Sequence, residues 1–243
     1  MGSVTLETSA PPRASLASDA RDVAGRLLVG TAAGALAGGV IGGVGGRLVM
    51  LVLRLASDPV VLGVTSDDGF EIGRFTLGGT VNLAGGMAAF GAANGALYVV
   101  LRGSIPPRLR LVLWSAFAAL VGGSQFVHAD GVDFTLLEPL WFAVLSFVVL
   151  PGLAAVVVVV LVEHWLGDAH HRPRSVVLGV AAALGTAGLV VAALLGVAVL
   201  VARRIGAVAA LRHLGRVVVP AGLAVGSAVA AWYVVDEARR ILG

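Results

Sequence analysis

The chain has 243 residues, 58% of them hydrophobic and 13% charged, with a formal net charge of +3. A soluble domain carries about twice that charged share, and a water-soluble fold of this size could not bury so much apolar surface, so lipid must be part of its solvent. Cysteine is absent, which removes disulfides, thiolate metal sites and cysteine nucleophiles together.

Every basic side chain apart from histidine is arginine, and Ala, Gly, Val and Leu abound, a pattern that points to a high-GC bacterial source. The isoelectric point near 10.5 resembles a nucleic-acid signal. The arginines are spread over connections and helix ends instead of one patch, so they read as topology determinants and no nucleic-acid partner is expected.

Residues 1–26 are polar and rich in Ser, Ala and Pro, with no apolar core before a cleavage site; a disordered cytoplasmic tail is expected, not a signal peptide. Residues 27–235 read as a single all-α, polytopic transmembrane bundle, and 236–243 as a short tail. A spanning helix needs about 20 mainly apolar residues. Six stretches qualify: Leu27 to about Val52, Gly79–Leu101, Leu111–Val127, Leu140–Val162, Val176–Ala202 and Val217–Val235. Lipid offers no partner for a free backbone group, so each must be helical, and the continuous runs do not suit a barrel.

Counting arginines near the spans puts the N-terminus in the cytoplasm of a bacterium, and six crossings put both termini there. The fifth connection conflicts, because Arg203, Arg204, Arg212 and Arg216 would face outward. A short interfacial helix there, or a five-span or re-entrant arrangement, would resolve it.

The first outer loop contains Asp68-Gly69-Phe70 and then Phe75-Thr76-Leu77; the second reads Asp130-Gly131-Val132-Asp133-Phe134-Thr135-Leu136. Both suit a turn at Asp-Gly followed by a threonine able to cap the next helix. The echo suggests two hairpins in parallel repeat, although two short capped loops can also look alike by chance. Ser66-Asp67-Asp68-Gly69-Phe70 with Phe75-Thr76, and Asp130-Gly131 with Asp133-Phe134 and Glu138-Pro139, resemble multipass membrane proteins of actinobacteria. The resemblance covers roughly residues 45–165 and implies no activity.

Span one carries Gly30, Gly34, Gly38, Gly42 and Gly46, with Gly39 and Gly43 beside them. Residues four apart lie nearly above one another, so a groove without side chains is expected, into which another helix backbone can press. Such a glycine zipper serves packing within the chain, self-association or a partner protein. Gly91 with Gly95, Gly85 with Ala89 and Ala93, and Gly222 with Gly226 and Ala230 offer small faces to meet it.

Arg47 and Arg54 share one side of span one near the expected outer surface. Asp58, Asp67, Asp68, Glu71, Asp130, Asp133 and Glu138 are candidate partners. The set suits headgroup contact or a structural ion pair, or an outward-facing anion or substrate site. The carboxylates alone would suit a hard cation, although their spacing matches no EF-hand. Asn82, Asn94, Ser124 and Gln125 read as interhelical hydrogen-bonding groups, and Pro151 as a kink. Glu163-His164 with Asp168, His170 and His171 match no metal motif, so a solvated loop anchored by Trp165 is expected. No histidine or buried acid is placed to activate Ser115, Ser124, Ser146 or Ser227. The glycine run lacks the strand and lysine of a phosphate loop.

No catalytic residue, metal or cofactor is expected. The sequence favours a non-enzymatic membrane component working through helix association. The alternatives are a small solute or ion transporter or channel using the outer charged residues, and a membrane enzyme with its site at the outer face.

Overall fold

In the computed structural model, residues 16–61, 63–65, 76–167, 178–179, 183 and 186–243 are described. They form helices and short connections, with no strand among them. The first helix runs unbroken for 41 residues, Leu16–Ala56. It comprises α1 (Leu16–Ala37), a π-helical segment (Gly38–Gly45) and α2 (Gly46–Ala56). There follow α3 (Leu77–Leu101), α4 (Arg110–Phe126), the short α5 (Val132–Thr135), α6 (Leu140–Gly167), α7 (Thr186–Arg204) and α8 (Val208–Leu242). Among the described residues, the first helix, α3, α4 with its preceding turn, α6 and α8 are the 5 helices long and apolar enough to cross a membrane. This is a membrane protein built as a helical bundle.

Helix formation begins at Leu16, well upstream of Leu27, inside the stretch expected to be a tail. At about 1.5 Å per residue the first helix is roughly 60 Å long, about twice the hydrocarbon thickness, so its polar beginning projects beyond the bilayer. Ion pairs hold that projection: Asp22 to Arg26 at 3.1 Å, and Arg203 of α7 to Asp19 at 3.4 Å and Asp22 at 3.3 Å. Residues 1–15 of the expected tail lie outside the described residues.

The first helix packs antiparallel on α3, backbone against backbone. A Cβ built on Gly30 would lie 2.5 Å from the Gly95 carbonyl oxygen. On Gly34 it would collide with the Gly91 carbonyl oxygen, and on Gly38 with that of Met87; Gly91 and Gly95 meet Gly34 and Gly30 reciprocally. A Cβ on Gly43 would lie 2.6 Å from the Ala84 Cα, whereas Gly42 faces only the Met87 side chain and Gly46 stands 3.9 Å from Leu83 Cδ2. The contact therefore passes from the four-residue row to Gly43, five residues after Gly38, within the π-helical segment. The i→i+5 bonding of that segment keeps a glycine on the α3 face where a strict four-residue row turns away.

A second glycine contact joins α4 to α6. A Cβ on Gly122 would lie 2.6 Å from Pro151 Cβ, and one on Gly123 2.8 Å from Val148 Cγ2. Pro151 stands inside α6, so its ring enters a notch that only glycine leaves open. Buried Tyr98, Trp114, Ala155, Val158 and Val162 make the core where α3, α4 and α6 meet.

One end of this bundle is basic and the other acidic. Among the described residues, Arg21, Arg26, Arg102, Arg108, Arg110, Arg203, Arg204, Arg212 and Arg216 gather at the first end with Asp19, Asp22 and Glu163. Asp58, Asp130, Asp133, Glu138, Asp236 and Glu237 gather at the other, with Arg54, Arg239 and Arg240.

Of the expected fifth span, Val176–Ala202, the described helix α7 runs towards the basic end. α6 ends at the basic end, where Glu163 pairs with Arg102, and α7 ends there too, where Arg203 pairs with Asp19. Between Gly167 and Arg204 the chain therefore makes no net crossing. Gly188 packs against Ala89, Ala92 and Ala93, at the height where Gly34 meets Ala92. A Cβ on Gly196 would lie 3.1 Å from Leu27 Cδ1, so α7 covers the basic half of α1 and α3. Part of Val176–Ala202 lies outside the described residues.

A turn at Ile205–Ala207, with Gly206 at φ +69°, leads directly into α8. The expected separate interfacial helix is thus the beginning of α8, and Pro220 stands inside that helix. α8 runs the full height, from Gly215 against Ser104 to Glu237, whose carboxylate accepts a 2.6 Å hydrogen bond from Ala129 N–H. The chain thus finishes at the acidic end, opposite Leu16. The arginine conflict disappears, because Arg203, Arg204, Arg212 and Arg216 join the other arginines.

The two outer loops also part company. Thr76 caps α3, its Oγ1 accepting from Gly79 N–H at 3.1 Å. Thr135 instead donates to the Gly131 carbonyl at 3.1 Å inside α5, and α6 starts only at Leu140.

Two outcomes are expected. Gly34→Val, which forces a side chain into the α3 backbone, should destabilise the protein by roughly 1–3 kcal/mol or more in a thermal melt. Gly85→Val, whose new carbons meet open space, should melt like the parent. Because the chain has no cysteine, membrane-impermeant thiol labelling should reach Ser18→Cys and Ile205→Cys from the same face of the membrane and Leu242→Cys from the other.

Candidate functional site

The basic end holds a closed polar network. Glu163, near the end of α6, accepts from Tyr98 Oη at 2.7 Å and from Arg102 Nε at 2.9 Å through Oε1. Its Oε2 accepts from Arg102 Nη2 at 2.8 Å and Arg110 Nη1 at 3.0 Å. The Arg102 contact is a two-pronged guanidinium–carboxylate pair, the strong form of this interaction. Arg110 also donates to the backbone carbonyls of Arg102 and Ile105, so it closes the α3–α4 connection. Deeper in, Trp114 Nε1 donates to Asn94 Oδ1 at 3.1 Å, with the Tyr98 and Trp114 rings 5.3 Å apart. Both oxygens of Glu163 are occupied, so the network pins α3, α4 and α6.

The acidic end holds an open recess of about 420 Å³, lined by Gln125, Phe126, His128, Asp130, Gly131, Asp133, Phe134 and Phe147. That volume falls in the range of small-molecule sites. Two carboxylates, an amide and an imidazole share it with three aromatic rings. Phe147 sits 5.4 Å from Phe134 and 6.2 Å from Phe126, centroid to centroid. Asp133 is only 6% exposed, while Asp130 stands open to solvent. His128 Nε2 lies 3.0 Å from the Gln125 carbonyl, which fixes the ring at the rim. Ser57, at the end of α2, accepts from Glu138 N–H at 2.7 Å and ties the first helix to the segment beside the recess. Carboxylates backed by aromatic faces suit a small cation, which gains from both the charge and the ring quadrupoles.

The expected outer charged site is divided by this geometry. Asp130 and Asp133 come together in the recess. Glu138 is exposed on the connection held by Ser57, and Asp67, Asp68 and Glu71 lie outside the described residues. Arg47 is 8% exposed within α2 and Arg54 is half-buried; neither lines the recess. Gly30, Gly34 and Gly38 face α3, as described above.

The other candidates are occupied locally. Ser115 and Ser124 donate to backbone carbonyls of their own helix, Leu111 and Val121. Asn82 is exposed on α3. Asp168, His170 and His171 lie outside the described residues, and no group of three metal-ligating side chains occurs among those described. The Glu163 network was not anticipated. Its signal was an acid at the end of one span, facing a connection that carries Arg102 and Arg110.

Glu163→Gln, which keeps the shape and removes the charge, should cost on the order of 2 kcal/mol in a denaturation series, since two arginines lose charged hydrogen bonds. A melt identical to the parent would show that the network is incidental. No protein-family model, curated protein or solved structure matches this chain.

Proposed function

We propose that the protein is a small-solute transporter or channel of the bacterial cytoplasmic membrane that takes a cationic solute from its acidic side. The recess carries this reading. It gathers carboxylates and aromatic surface at one end of the bundle. With the basic end in the cytoplasm, as the arginine bias favours, the recess faces outward and the membrane is crossed five times. The absence of Arg47 and Arg54 from the recess weighs against an anionic solute.

A second reading, helix association with a partner or another copy, is favoured by one face of α8. Ala221, Gly222, Ala224 and Ala228 are exposed there, and Gly222 meets nothing within 4 Å. The glycine row of α1 supports this reading less, because α3 of the same chain already fills it.

The deciding experiment is uptake of radiolabelled methylammonium into proteoliposomes. Asp130→Asn with Asp133→Asn is expected to lower uptake at least about tenfold, the loss of one to two charged contacts, and Asp130→Asn alone, at an exposed position, should lower uptake with the parent's melt. Absence of uptake by the parent, or uptake unaffected by the double variant, would remove the cationic-solute reading.

A further inference from the structure

We infer that the basic end carries a specific seat for one anionic phospholipid, at the edge where α8 meets the connection between α3 and α4. Among the described residues, the acids of this end are already committed: Asp19 and Asp22 to Arg203 and Arg26, and Glu163 to Arg102 and Arg110. The exposed guanidiniums of Arg108, Arg204 and Arg216 have no acid left to pair with among the described residues, and at a membrane edge an anionic headgroup can supply their counter-charge.

Packing brings two of them to one edge. A Cβ on Gly215 would lie 2.6 Å from Ser104 Oγ, so the beginning of α8 rests on the connection that carries Arg108, with Arg216 the next residue along. Arg108 stands on a single 3-10 turn, Pro107–Leu109, held by the Leu109 N–H to Pro106 carbonyl bond at 2.9 Å. Both arginines therefore project from fixed backbone.

Apolar side chains adjoin these arginines: Val217, next to Arg216, is 71% exposed, and Leu109, next to Arg108, is also open. A guanidinium pair beside open leucine and valine matches a molecule with an anionic phosphate head and acyl chains. Free phosphate would meet the arginines and leave the apolar flank bare. Basic sites between helices on the cytoplasmic side suit anionic headgroups, with about 1 kcal/mol for each arginine near the surface.

The test is native mass spectrometry of the full chain released from nanodiscs of equal phosphatidylglycerol and phosphatidylethanolamine. One phosphatidylglycerol should remain bound in preference to phosphatidylethanolamine. Arg108→Gln and Arg216→Gln should each lower its retention about fivefold, the loss of about 1 kcal/mol, and Arg239→Gln with Arg240→Gln at the acidic end should not. Arg108→Gln alone, in an exposed turn, gives the reading should the pair of changes reduce expression. Equal retention of the two lipids, or retention insensitive to Arg108→Gln, overturns the inference. Inorganic phosphate added to detergent-purified protein should leave the melt unchanged where phosphatidylglycerol raises it; an equal rise with phosphate overturns the lipid assignment. None of these readouts depends on transport.

Discussion

The bundle depends on the close approach of two backbones, α1 and α3, at Gly30, Gly34, Gly91 and Gly95. Helices in lipid have no hydrophobic force between them, so association rests on dispersion contact and weak Cα–H···O bonds. Both grow steeply as the axes approach, and only glycine on both partners permits this approach. That contact sets the height of α3 against the first helix. It thereby places Ala92 where Gly188 of α7 meets it, and Tyr98 and Arg102 where Glu163 of α6 meets them. The π-helical segment extends the seam to Gly43 and Ala84, so the glycines beyond Gly38 keep a use that a regular helix would have denied them.

Charge divides the molecule along its long axis, and the division fits the topology. The basic end is held by paired charges: Arg203 with Asp19 and Asp22, and Glu163 with Arg102 and Arg110. The acidic end is held by backbone and hydroxyl contacts, such as Ala129 to Glu237 and Glu138 to Ser57, and keeps Asp130 and Asp133 around an open recess. The return of α7 to the basic end keeps every arginine of the last two helices before Arg239 on that side.

Much of this architecture is legible in the sequence because lipid simplifies the code. Long apolar runs mark α3, α4 and α6 to within a few residues, and the Thr76 cap follows from a threonine placed before an apolar run. Residues that depend on tertiary partners are harder to place. Leu16–Arg26 is polar enough to read as a tail, and its helix is held by Arg203, nearly two hundred residues away. Val176–Ala202 has the length and hydropathy of a crossing, but hydropathy reports solubility in lipid and not direction of travel. The Arg203 ion pairs decide that direction. Thr135 has the same neighbours as Thr76 yet turns its hydroxyl into α5. The recess joins Asp130 and Asp133 to Phe147 on another helix, a pairing no local spacing reveals. Arg47 sits one heptad from Arg54, and only packing shows that it is buried in the bundle.

The most direct test of this account is intramolecular disulfide trapping in the cysteine-free chain, with Ala35→Cys on α1 combined with Ala88→Cys or Ala92→Cys on α3, which pack in one buried cluster. Oxidation in native membranes should yield a crosslinked monomer with shifted mobility and no dimer. A crosslinked dimer, or no crosslink in a well-expressed protein, would contradict the claim that the glycine row is filled by the chain's own α3.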